Sequence, residues 1–143
     1  MITQTATSSF KLELASAVHD FTLDVFKIAL YSSTATLGAA TMAYSATGEV
    51  SGAGYTAAGA TLTTIAPVIA NNFAGIPTLV ISFVDVSWPS STLVARGALI
   101  YNSSKSNKAV AVLDFGADKT TSNATLTVSF PAADANSAVI LLS

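Results

Sequence analysis

Polar and apolar residues alternate most cleanly from Ala124 to Phe130, with Leu126, Val128 and Phe130 on one face and Thr125, Thr127 and Ser129 on the other. A period of two predicts a half-buried strand. Upstream, Leu93–Tyr101 and Ala109–Phe115 are apolar runs of strand length joined by the polar linker Asn102–Lys108. Short linkers rich in Asn, Ser and Gly join antiparallel neighbours, so with a turn at Gly116 the three runs predict a β-meander. Val25–Tyr31 predicts a further strand, with Phe26, Ile28 and Leu30 on one face and Lys27 on the other. Thr61–Ala66, Thr78–Val84 and Ala138–Leu142 are three more. Thr78–Val84 is apolar on both faces, which places it near a sheet centre or under an interface.

The period changes once. Phe10, Leu14 and Val18 recur at i, i+4 and i+8, predicting a short helix over Ser9–Val18 with Ser9 as N-cap. His19–Asp24 breaks that pattern, and Met1–Ser8 shows no periodicity, so a loose or partner-bound arm is expected there. Asp85–Ser91 reads as a turn, and Pro131 closes the last alternating strand because proline cannot donate to a ladder. The expected fold is all-β: an antiparallel β-sandwich or jelly roll with a short N-terminal helix, forming one domain over residues 9–143 behind the 1–8 arm.

Between the first strand and the rest lies a glycine- and alanine-rich stretch, Ser32–Gly59, whose sharpest piece is Thr47–Leu62 (TGEVSGAGYTAAGATL). It reads either as an extended loop that reaches a neighbour or wraps a sheet edge, or as a surface loop with small residues for its turns. Glu49 and Tyr55 stand out in it.

Composition narrows the functional classes. The 143-residue chain has no cysteine, a net charge of −2 and only 10% charged residues, against about a quarter in an average domain. Its six Lys and Arg residues are scattered, which argues against direct nucleic-acid binding. Mean hydropathy is +0.58, yet no apolar run reaches the roughly 18 residues of a membrane helix. The first residues lack the basic-then-apolar order of a signal peptide. So little charge fits a surface covered by other subunits, hence a homo-oligomer, and equally a Ser/Thr-rich exterior.

Candidate chemistry is sparse. His19 is the single histidine, which excludes a multi-His metal site, and it reads as a helix-end residue stabilised by the helix dipole. No G-x-S-x-G occurs, and the G-x-G at Gly52–Gly54 lacks the third glycine of a dinucleotide site. Asp20 and Asp24, and Asp114 and Asp118 around Gly116, read as turn-forming side chains. No catalytic residue, metal or cofactor is expected. Arg96 sits inside an apolar strand, where an unpaired charge is costly, so it must reach a carboxylate or the surface; Glu49, Asp85 and Asp114 are the candidates. Glu49, Tyr55, Trp88 and Arg96 are the candidate interface or structural anchors. Exposed aromatics such as Tyr55, Trp88 or Tyr101 would also suit a carbohydrate-binding β-sandwich for host attachment.

Four blocks, Phe10–Phe21, Asp24–Tyr31, Tyr44–Leu62 and Arg96–Pro131, carry the words FKIALY, EVSGAGY and AVLDFG. In order and spacing they resemble a family of small virion structural proteins of tailed bacteriophages. The resemblance covers most of the chain apart from the first eight residues and Pro67–Ile76. It implies a non-enzymatic virion component made in the bacterial cytoplasm. With the size, the β-architecture and the low charge, the closest likeness is to a capsid decoration or cement protein. That role implies the major capsid protein and further copies of the chain as partners at the capsid surface. A tail, connector or fibre component is the alternative. The resemblance assigns no site residues.

Overall fold

The computed structural model describes residues 1–142. In chain order the elements are β1 (Thr5–Ala6), α1 (Ser8–Ala15), β2 (Phe26–Tyr31), β3 (Ala60–Thr61), β4 (Thr64–Asn71), β5 (Pro77–Phe83), β6 (Val86–Ser91), β7 (Val94–Asn102), β8 (Lys108–Thr120), β9 (Ala124–Val128) and β10 (Ile140–Leu142). The fold is all-β, with every pairing between these strands antiparallel and one short helix. Three sheets form: β1-β8-β7-β2-β3, β10-β5-β4 and β6-β9.

The five-stranded sheet is buried on both faces. Phe26, Ile28, Leu30, Ala98, Ile100 and Val110 point into the main core, where Ile81 and Phe83 of β5, Trp88 of β6, Leu126 and Val128 of β9 and Phe10 of α1 meet them. Full burial of one such side chain is worth about 1.5–3 kcal/mol, so this cluster holds the three sheets together. Ala29, Tyr31, Leu99, Tyr101 and Val112 face the other way and pack with Ile2, Ala35, Leu37 and Tyr44. Residues 32–59 therefore fold back over their own sheet; Tyr44 stacks on Tyr101 with ring centroids 4.9 Å apart.

Several expected elements are placed differently. The helix begins at Ser8 and its N-cap is Thr7, not Ser9: the Thr7 hydroxyl accepts from Phe10 N at 3.3 Å and donates to Ala109 O at 3.1 Å. Thr7 wins because it is fully buried against β8, where an unpaired hydroxyl would be costly. The first residues, expected as an arm, lie on the chain's own sheet. Thr5 and Ala6 pair with Val112 and Ala111, and Ile2 is buried beside Gly97, where a Cβ would come 3.0 Å from its methyl group.

The meander breaks after its second strand. Gly116, with φ +75°, is a bulge inside the long β8 rather than a turn: Gly97 opposes Asp114 while Ala95 already opposes Lys119. The chain reverses beyond Thr120, and β9 pairs with β6. Asp85–Ser91, expected as a turn, is thus mostly strand. Pro89 survives in it because the register shifts between Trp88 and Ser91, a bulge where no ladder N–H is required. The expected Thr61–Ala66 strand splits into β3 and β4, which belong to different sheets. β5, apolar on both faces, sits at the centre of its sheet, as its pattern predicts.

Candidate functional site

Three of the four candidate anchors meet. Glu49 lies beside β2 through a bridge to Tyr31, and its carboxylate accepts from the Tyr55 hydroxyl at 2.7 Å, the Tyr44 hydroxyl at 2.7 Å and Ala58 N at 2.8 Å. The Tyr55 hydroxyl in turn accepts from Leu30 N at 2.9 Å, and its ring lies 6.1 Å from that of Trp88. Tyr31 donates to Ser45 O at 2.6 Å and Tyr101 to Ala58 O at 2.7 Å. All four tyrosines of the chain thus tie residues 44–58 to the sheet.

Burial and the neighbouring Glu49 carboxylate both disfavour a phenolate, so Tyr44 is pushed up to about 12. Burial, then Glu49, raises Tyr55 further and Tyr101 as well; burial is also the main cause for Tyr31. The hydroxyls remain donors over the whole physiological range. The cluster is a clamp that holds the glycine-rich segment down.

Arg96 stands apart from it. Its Nε donates to Asp114 Oδ1 at 3.0 Å and its Nη2 to Asp114 Oδ2 at 3.4 Å, so of the three candidate carboxylates the β7–β8 register selects Asp114. The guanidinium, with a further hydrogen bond from Gly116 N, holds the Asp114 carboxyl below its ordinary range. Asp114 therefore serves both the pair and the bulge.

The polar cluster that sequence reasoning missed surrounds His19. Its side chain is fully buried, four residues beyond the end of α1, between Phe10 and Phe26. Nε2 lies 3.0 Å from Glu13 Oε2 and Nδ1 lies 3.1 Å from Asn102 Nδ2. The Asn102 amide also donates to Asp24 Oδ2 at 2.7 Å, so Nδ1 is the acceptor and the ring proton sits on Nε2, directed at Glu13. Glu13 is bonded to Lys108 on its other oxygen, and Lys105 lies 3.6 Å from Asp24. His19 is a bridge inside the fold rather than a helix-end residue. Both its nitrogens are engaged, which leaves no lone pair for a substrate. Asp20 behaves as the local sequence suggests, accepting from Thr22 N at 2.8 Å and Leu23 N at 3.2 Å in a tight turn, and Asp24 closes that turn by accepting from Asp20 N at 2.9 Å.

Trp88 is 5% and Tyr101 1% exposed. The aromatics expected as a sugar platform are therefore in the core or, for Tyr55, in the clamp. Among the described residues no group of three or more His, Asp or Glu side chains is arranged to hold a metal, and no helix is long and apolar enough to cross a membrane. Comparisons with protein-family models, curated proteins and solved structures found no match to this chain.

Proposed function

We propose that the chain is a non-enzymatic virion structural protein of a tailed bacteriophage, acting as a decoration or cement protein on the head shell. The observation that carries this reading is the division of labour between its side chains. Glu13, His19, Glu49, Arg96 and Asp114 are engaged in internal pairs, while the exterior offers little charge and several large apolar residues. Such a surface suits burial against neighbouring subunits at about 25 cal/mol per Å², repeated over symmetric copies, better than turnover of a small molecule. The clamp of tyrosines and the docked first residues give each copy a rigid shape, which lowers the entropy lost on assembly.

The test is stoichiometry in purified particles, measured by quantitative mass spectrometry against the major coat protein. A ratio near one is expected for a shell-wide cement. A small ratio moves the chain to the tail, connector or fibre, and absence from the particle overturns the reading.

A further inference from the structure

The hairpin formed by β4 and β5 carries apolar side chains that the fold leaves uncovered: Val68 is 48%, Ile69 67%, Phe73 96% and Ile76 48% exposed. The tip is ordered by its own bonds. The Asn72 side chain accepts from Ala74 N at 2.9 Å and Ile76 N at 3.0 Å, and the Asn136 side chain accepts from Phe73 N at 2.9 Å. Phe73 is thus held outward by a rigid turn.

Beside it, β4 is the edge of its sheet. Asn72 N donates to Ile76 O, so by the alternation of an antiparallel ladder Ala70 and Val68 bond towards β5 while the N–H and C=O of Ile69 and Asn71 face outward. Edges of this kind are ordinarily protected by lysines or inward-pointing charges. Here Val50–Val84 contains no charged residue, and the one interruption is Pro67 at the bulge.

We propose that the β4 edge and the Phe73 tip form a self-association surface, occupied by the same strand of a second copy in an antiparallel, two-fold arrangement. Unpaired edge N–H and C=O groups call for another strand; lipid cannot satisfy them. An isologous contact brings each edge against its own uncharged pattern, with no like charges to repel. The four side chains expose roughly 400 Å² of apolar surface per copy. With the strand backbone, a symmetric pair buries on the order of 1,200 Å², the lower bound of a stable interface. This deepens the self-association part of the reading above. A chain that is monomeric in solution yet present on particles would sink the contact and leave that reading standing.

Sedimentation equilibrium of the full chain tests it, comparing the parent with Ile69→Lys, Phe73→Ser and, on the exposed face of α1, Leu12→Ser. The parent and Leu12→Ser are expected to have the dimer mass, and the two hairpin variants to dissociate at least about 10-fold more readily. Both hairpin residues are exposed in the single copy, and circular dichroism confirms that the variants fold. A parent that stays monomeric at high concentration overturns the proposal, as does an assembly that both hairpin variants leave intact. A monomeric parent that binds phosphatidylcholine vesicles through Phe73 also overturns it, in favour of a lipid surface.

Discussion

Glu49 accepts three hydrogen bonds from groups that have few other partners, so its removal strands the Tyr44 and Tyr55 hydroxyls and the Ala58 N–H together. Glu49→Ala is expected to destabilise the fold by about 2–4 kcal/mol, read as a lower urea midpoint at unchanged slope. A shift within about 0.5 kcal/mol would mean that the clamp contributes nothing. Glu49 and Tyr55 stand out in sequence as a lone charge and a lone aromatic among glycines, which is why both could be singled out. Their distant partners could not: Leu30 N and the Trp88 ring, which Tyr55 meets, arrive from separate strands. Asn102 was equally hidden. In sequence it ends a strand and begins a linker, and only its burial between His19 and Asp24 gives its amide a task.

At the scale of elements, two glycines with nearly the same dihedral angle separate conformational strain from steric clash. Gly59 has φ +70° and Gly116 φ +75°. A Cβ on Gly59 would lie 1.8 Å from Ile28 O, whereas one on Gly116 meets nothing within 4 Å. Gly116→Ala is expected to cost about 1 kcal/mol, the left-handed penalty alone, and Gly59→Ala at least about 3 kcal/mol, because the segment must leave β2. Thermal unfolding of the two variants gives the comparison, and equal losses would show that residues 58–60 do not pack as described. Strand existence was legible from alternation in β2 and β9 and from apolar runs of strand length in β5 and β7. Pairing was not. Proximity in sequence favoured β8 beside β9, but the bulge at residues 115–118 extends β8 past its apolar run, and Leu126 and Val128 find their apolar neighbours opposite Trp88 and Val86.

For the whole molecule, protonation sets two limits. Burial raises the Glu13 and Asp24 carboxyls, but for Glu13 the bonds from Lys108 and His19 outweigh it, and for Asp24 the bonds from Asp20 N, Asn102 and Lys105 do. Both end below their ordinary values of 4.5 and 3.8. Their contribution is therefore complete above those values and is lost as pH falls through the lowered ones. The tyrosines run the other way. Raised above their ordinary 10.0, they stabilise fully below pH 10, and this is lost as pH rises towards the Tyr44 value of about 12 and beyond. Alkaline titration followed by ultraviolet difference absorbance is expected to show tyrosine ionisation delayed and then cooperative with unfolding. Four independent steps near pH 10 would contradict the clamp.

The class of the fold was legible in the chain, since period-two alternation and short apolar runs bounded by turn residues bury their faces as strands. The sequence also showed that charge is scarce and that Arg96 must reach a carboxylate or the surface. Tertiary structure alone decided which carboxylate, which strands pair, that the glycine-rich segment covers its own sheet, and that the β4 edge stays open. Each of these depends on residues distant in the chain meeting at particular separations. Local pattern records what a residue must bury or satisfy, but not the partner that does it.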